Sequence, residues 1–548
     1  RMAPYPRSGA LRRVLGATAL AAAAFTAFSR PDHVTSIAAN VQSRTSRIVL
    51  NPATVGLKGG YPTHCRDFRR GYLSQQSRGL RRISGRSTAR AEEITVGDVT
   101  ALLSESEQTG GWSGSALRPG GALDGSLGLY FQRNVKKGEE ILSIDVTGPL
   151  CLTVDKVDSS ALGPLVEKLQ SWEKLALYLL FEKHRGSAEY RRFEAGLNTE
   201  PGTPMLWDEA EAKKLLEGTQ AWELSEQYKQ YVDGEWANRV QPLIQNAKPD
   251  IFAHLKDVSL EDFRWAFSVV RANSFAPFDS NQDLTIIALP GLFRHTRAKS
   301  ASLQVKKGGF LGLGGGGSGA KISIVAEKDY AEGSLASFNV APTQTESQVF
   351  VNYGLADSAQ PSEAVELKLW ISEEDRFFGD KADVVEQEGL PLTQAFAVNA
   401  DSDPSYELQR FLRLTLLKDK DAFILEPIFR DDLWNEHLTL PFSEQNEEDM
   451  CNAMIDWATN RKMRIPGTLE DDLALKESGR VFPGSREDLA LAVRMGERRA
   501  LQQTINYFKR RLASFSSITF YQERRLMKLN LLTEDGKSTF DPFKDNIA

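Results

Sequence analysis

Cysteine is scarce in this chain. Cys65, Cys151 and Cys451 are the only three among 548 residues, and their spacing supports neither a disulfide framework nor a cysteine zinc site. Acidic residues are nearly missing from the first 91 positions, which hold 16 Arg and Lys against Asp32 and Asp67, whereas the rest carries 51 basic and 71 acidic groups. The amino-terminal stretch is therefore near +14 and the body near −20. So acidic a body lacks the basic surface that phosphate binding requires, which argues against nucleic acid as the main partner. Long apolar runs are missing beyond Phe28. The run from Val14 to Phe28 is short and alanine-rich, and with Arg1, Arg7, Arg12 and Arg13 before it, it suits a signal-peptide core rather than a membrane span.

Beyond that core the chain is rich in Arg and Ser and poor in acid, as a transit peptide is. The apolar core, then Phe25-Thr26-Ala27-Phe28-Ser29-Arg30-Pro31, then a basic stretch resembles the two-part presequence of algae with complex plastids of red-algal ancestry. That resemblance implies a plastid protein, in the stroma or on the stromal face of the thylakoid. Residues 1–91 are expected to be a disordered leader removed near Ala91. The other reading is a basic tail for an acidic partner.

The body of roughly 450 residues has room for two or three domains. Leu127–Phe131 and Ile141–Ile144 alternate like strands across a polar turn at Gly138, which predicts a β-hairpin. From about Leu162 to Leu255 the pattern turns helical, with Leu175, Leu179 and Phe181 near one face. A helix over Asp262–Arg271 leads to an apolar strand through Leu284, Ile286, Ile287 and Leu289. Gly308 to Gly319 is glycine-rich, but no Gly-Lys-Ser/Thr comes after it, so a flexible insertion is expected rather than a phosphate loop. Ile322–Ala326 reads as a strand and Asp329–Gly333 as a turn. Beyond Pro361 no fixed period repeats along the chain.

Several segments together resemble SET-domain proteins related to the Rubisco large-subunit lysine methyltransferase. They are Leu127–Ile144, Thr203–Asp208, Leu289–Thr296, Asn352-Tyr353-Gly354, Phe377–Lys381, Asp421–Arg430, Asn446-Glu447-Glu448 and Arg494–Gln503. The resemblance implies an α+β fold: a SET-type β core with a helical insert, followed by an all-α C-terminal substrate-binding domain. It implies a SET-like domain over 92–360, with the insert at about 160–255 and the glycine-rich loop at 306–321, and a helical domain over 361–548. Members move a methyl group from S-adenosylmethionine to a protein lysine. That in-line displacement requires aligned partners and a neutral amine, which desolvation in a narrow channel supplies.

Four positions that the resemblance ties to this chemistry depart from the family pattern. The glycine turn is Ser126-Leu127-Gly128 instead of Gly-x-Gly. Asn273 stands where an arginine pairs with the donor carboxylate, and Arg271 lies on another face of the helix. Arg294 replaces the asparagine of the Asn-His pair, so a charged donor-only group stands where an amide both donates and accepts. Val340 or Ala341 falls where the catalytic tyrosine belongs. His295 and Tyr353 persist, the former as a structural histidine hydrogen-bonded at a strand end or a residual donor contact, the latter as a channel tyrosine or a packing residue. The expected donor-site positions are thus Gly128, Arg294 and His295, with Tyr353 the one channel residue of an active form, and no metal site.

These departures favour a non-catalytic plastid SET-fold protein without a cofactor. Its C-terminal helical domain would bind another plastid protein as a scaffold or subunit, for example of a photosynthetic complex. The alternative is an active protein-lysine N-methyltransferase that uses S-adenosylmethionine on Rubisco large subunit, aldolase or another stromal protein. A third reading is a module sensing a metabolite or acting as a chaperone. No apolar run in the body is long enough to span a membrane.

Overall fold

The structure is a computed structural model that describes residues 94–108, 111–114, 116–121, 127–281, 283–306 and 320–533. The expected leader, Ser126 and the glycine-rich insertion lie outside the described residues. Val96–Ala548 forms one compact unit.

Among the described residues the twelve strands are short: β1 (Trp112–Ser113), β2 (Leu117–Gly121), β3 (Leu127–Phe131), β4 (Glu140–Asp145), β5 (Cys151–Thr153), β6 (Thr285–Ile287), β7 (Arg294–His295), β8 (Ala301–Lys306), β9 (Lys321–Ala326), β10 (Ser337–Phe338), β11 (Ala364–Trp370) and β12 (Thr393–Asn399). The largest sheet is antiparallel in the order β1-β4-β9-β8. Its register sets Ile144 opposite Ile322 and Leu142 opposite Ile324, with a bulge between Glu140 and Leu142. All four of those apolar side chains are buried.

The predicted hairpin across Gly138 does not form. β3 pairs with β2 and β4 with β1 and β9, so the two strands belong to different sheets. The alternating pattern was real in both strands, but alternation fixes a face and not a partner. Gly138, at φ +87°, turns the chain between the sheets, a left-handed conformation that glycine adopts without Cβ strain.

Between β5 and β6 runs the helical insert. The Leu260–Ala272 helix starts in a capping box, Ser259 with Asp262, and buries Phe263, Ala266, Phe267 and Val270 at helical spacing. Trp172 of the Ser171–Arg185 helix meets Phe267 edge-on at 5.1 Å. A Phe263→Ala cavity there should cost about 3–5 kcal/mol.

After β10 the Glu346–Tyr353 helix ends at Gly354, which is left-handed at φ +68°. The C-terminal region opens on an antiparallel ribbon, β11 with β12, whose seven paired positions add a strand element to an otherwise helical region. Its longest helix, Arg486–Ala513, has 28 residues. Ala490 and Val493 near its start pack with Trp207, Leu215 and Phe350. Leu501, Ile505 and Phe508 farther along pack with Val365, Val398, Met450 and Met454. Between these contacts the buried Glu497 carboxylate accepts from the Gln220 amide at 2.8 and 3.0 Å and from the Ser347 hydroxyl at 2.5 Å. One helix therefore serves both the insert and the C-terminal core.

Candidate active site

The candidate donor site is built on the segment from Gly333 to Phe338, which lies between β3 and β7. On one side Phe131 donates to the Ser334 carbonyl at 3.0 Å and Ala336 to the Leu129 carbonyl at 2.7 Å. On the other, Arg294 donates to the Ala336 carbonyl at 2.9 Å, and β10 runs parallel to β7 with Phe338 matched to His295. Gly128 and the Arg294–His295 pair thus flank one strand. At Gly128 an added Cβ would lie 2.9 Å from Leu335 Cδ1 and 3.9 Å from the Leu292 carbonyl oxygen. The side chain nearest this glycine is the protein's own leucine.

The chain enters β7 through Leu289, buried and held at φ +85°. A left-handed conformation costs a branched residue of order 1–3 kcal/mol and persists only where neighbours fix it. Here the Leu289 amide donates to the Gly196 carbonyl at 2.7 Å, and its own carbonyl accepts from Leu292 at 2.8 Å.

His295 is 7% exposed, and neither ring nitrogen makes a well-aligned hydrogen bond, while the Phe338 backbone acts on the ring as a weak partner. Burial, reinforced by the Arg297 charge and opposed by Asp357, lowers its pKa to about 4. The ring is neutral at neutral pH and keeps an acceptor without a donor. Arg294 beside it is exposed, so its guanidinium extends to solvent.

Asn273 closes the Leu260–Ala272 helix and is fully buried. Its Oδ1 accepts from the Asn198 amide at 2.9 Å, and its Nδ2 donates to the Asn198 and Val269 carbonyls at 3.0 and 2.8 Å. The side chain is a clamp between two turns with its hydrogen-bonding capacity in use. Arg271 points elsewhere, donating to Asn352 Oδ1 at 2.6 Å.

Tyr353 is buried and stacks on Phe275 with ring centroids 5.8 Å apart and planes 10° from parallel. Phe275 meets Phe338 edge-on, also at 5.8 Å. An aromatic line thus joins Tyr353 to the strand beside His295. Burial, and then the Asp279 carboxylate, push the Tyr353 hydroxyl well above the ordinary phenol range, with Arg271 opposing.

Val340 and Ala341 are buried at the turn after β10. Arg297 Nη1 donates to the Ala341 carbonyl at 3.1 Å while its Nε pairs with Glu346 at 3.0 Å. Asp357 accepts from Thr296 Oγ1 and the Arg297 amide, and its own amide donates to Glu346 at 2.6 Å. Sequence reading missed this Arg297–Glu346–Asp357 network, which pins the turn. Nothing in the spacing announces it beyond the Thr345/Gln348 capping box. Tyr330 stacks on Phe131 at 4.4 Å and sets its hydroxyl 3.3 Å from the Ser337 carbonyl oxygen. It thus lies beside the strand that β7 pairs with.

Residues 372–501 match the family described as Rubisco LSMT substrate-binding. The chain is 30% identical over 432 residues to an Arabidopsis thaliana chloroplastic fructose-bisphosphate aldolase-lysine N-methyltransferase, covering 78% of this chain and 86% of that protein. It is 29% identical to the Nicotiana tabacum chloroplastic Rubisco large subunit N-methyltransferase, over 77% and 84% of the two. A crystal structure of the SET domain of LSMT bound to lysine and AdoHcy superposes with a TM-score of 0.66 at 26% identity, covering 80% of this chain and 97% of that one. The SET-type α+β core, the helical C-terminal region and these relatives agree, and the chain belongs to the Rubisco large-subunit methyltransferase family of SET-domain proteins.

Proposed function

We propose that this is a plastid member of the family that no longer transfers methyl groups and acts as a protein-binding subunit, for example of a photosynthetic complex. Residues 92–360 form its SET-like part and 361–548 its binding part, after a plastid leader over 1–91. The observation that carries the reading is the turn at Val340 and Ala341, buried, pinned by Arg297 and without a hydroxyl at the position of the family's tyrosine. An amine delivered there would have no phenol to orient it.

The donor site supports the same reading. Asn273 is a clamp to Asn198 and brings no charge to a donor carboxylate. Loss of one charged partner from a desolvated pair costs about 2–5 kcal/mol. Arg294 turns to solvent and offers the donor no amide to accept or donate. Gly128, Arg294 and His295 thus fit S-adenosylmethionine poorly.

The alternative, an active lysine methyltransferase on aldolase, Rubisco or another stromal protein, draws on Tyr353 and its aromatic line to His295. Calorimetry with the full chain is expected to show no binding of the donor at micromolar concentration, and radiolabelled donor with plastid extract is expected to label no protein. Labelling that Tyr353→Phe abolishes would replace the first reading with the second.

A further inference from the structure

The ribbon of β11 and β12 has a free edge that can be assigned residue by residue. At its two ends the Ile371 amide donates to the Leu392 carbonyl at 3.2 Å and the Ala400 amide to the Glu363 carbonyl at 2.9 Å. Antiparallel pairs alternate between bonded and non-bonded. The register therefore makes Val365 with Val398, Leu367 with Phe396 and Leu369 with Gln394 the bonded pairs. Glu366 has the phase this requires, since its amide and carbonyl both turn outward and meet the Gln220 side chain at 3.0 Å. Thr393, Ala395 and Ala397 accordingly aim their N–H and C=O groups away from β11. Gln220 covers the β11 edge at Glu366, whereas among the described residues no group bonds to these three on the β12 edge.

Exposed edges are ordinarily blunted by a charge, a proline, a bulge or brevity. Thr393–Asn399 contains no charged residue and no proline, and its seven pairs with β11 run without a register shift. The side chains of Thr393, Ala395 and Ala397 are small and exposed. On the same face Trp370, 40% exposed, stands opposite Thr393 and offers a third strand an aromatic surface. The outward donors and acceptors recur at every second residue, about 7 Å apart. Only another extended chain matches that spacing along the whole row.

The charges choose between occupants. Glu386 and Glu388 precede the strand and Asp401 and Asp403 follow it, all four exposed. Arg510 relieves Asp403 only loosely, at 3.8 Å with both groups in solvent. Whichever way a second copy of the chain paired with this edge, acid would meet acid at both ends. A strand with basic ends is attracted instead. We propose that the free edge of β12 takes up an extended strand of a partner protein, uncharged through its middle and with Lys or Arg at both ends. The inference rests on reading the C-terminal region as protein-binding, and it adds where the partner lies and in what form.

The test is hydrogen exchange of the full chain, read at single residues by fragmentation mass spectrometry, with the probe acetyl-Lys-Thr-Val-Thr-Val-Thr-Lys-amide. In the free chain the Thr393, Ala395 and Ala397 amides should exchange at least tenfold faster than those of Phe396 and Val398. The probe should slow the three saturably and at least tenfold. Its counterpart with Glu at both ends should bind at least tenfold more weakly, and the one with proline for both valines should not bind. Ala395→Pro removes an outward donor and no bond to β11, so it should abolish the effect of the probe. The peptide series judges the site on the unaltered chain should that variant misfold. Three slow amides in the dilute free chain would show the edge covered by the chain itself, and slowing that follows protein concentration without probe would assign it to a second copy. Either result overturns the proposal, as do equal binding of the proline or glutamate peptide and no saturation up to about 10 mM. Donor binding and labelling judge the non-catalytic reading separately, so each can fail alone.

Discussion

The Arg294–His295 site and the helical joint at Arg486–Ala513 both bury ionisable groups, and they treat them in opposite ways. His295 loses water and has only the Phe338 backbone as a weak, poorly aligned partner. Glu447 is also fully buried, yet it receives Arg511 at 2.6 and 2.9 Å and Arg413 on its other oxygen. Glu497 accepts from two groups brought from distant parts of the chain. The joint keeps its charges for interactions that hold the fold, whereas the burial of His295 is met by little hydrogen bonding.

The largest effect should come from the joint. Glu447→Ala would strand two guanidiniums, one of them 3% exposed, and is expected to destabilise by about 3–5 kcal/mol in urea denaturation. A loss below about 1 kcal/mol would break the contrast.

Glu497 should show itself through pH. Burial raises its carboxyl from 4.5 to about 7, against the opposing Arg461 charge and the hydrogen bonds from Ser347 and Gln220, while Glu223 adds to the rise. A folded pKa above the unfolded one means that the native state holds the proton more tightly. The contribution is full below pH 4.5 and is lost as pH rises through about 7, a decline of about 3 kcal/mol. Glu497→Gln should remove that slope, so parallel stability curves for variant and wild type from pH 5 to 8 would contradict it.

His295 should act with the opposite sign. Its pKa falls from 6.5 to about 4 on folding, so stability is full above pH 6.5 and declines as pH drops toward 4. His295→Phe should therefore gain about 2 kcal/mol over wild type at pH 5 and differ little at pH 7.5. A His295 ring whose NMR titration midpoint lies near 6.5 would show that it is not desolvated. Smallest of all, Lys136→Ala removes an exposed pair with Asp329 and should leave the denaturation midpoint unchanged.

Much of the architecture was legible because it rests on local pattern. The capping box at Ser259 and the apolar spacing of Phe263, Phe267 and Val270 announce a helix wherever it packs. The pairing of β3 was not legible, since Leu129 and Phe131 would bury equally well against any apolar neighbour. The site divided along the same line. Residue identity at Asn273, Arg294 and Val340 could be read from the chain, but the clamp to Asn198 and the Arg297–Glu346–Asp357 network join positions far apart in sequence. The surroundings of His295, namely Arg297, Asp357 and the Phe338 backbone, likewise come together only in the fold.

The bond between Gln220 and Glu497 spans 277 positions, and it also sets a timetable. The start of the Gln220–Glu235 helix meets its carboxylate only after the ribosome has made the chain through to the Arg486–Ala513 helix. At synthesis rates of about 5–20 residues per second, that interval is roughly a quarter of a minute to a minute. Trp207 and Leu215, joined midway by Phe350, await Ala490 and Val493 until it ends. Contacts so distant in sequence also slow closure once the chain is complete. The nascent insert therefore keeps apolar surface uncovered until the Arg486–Ala513 helix has been made.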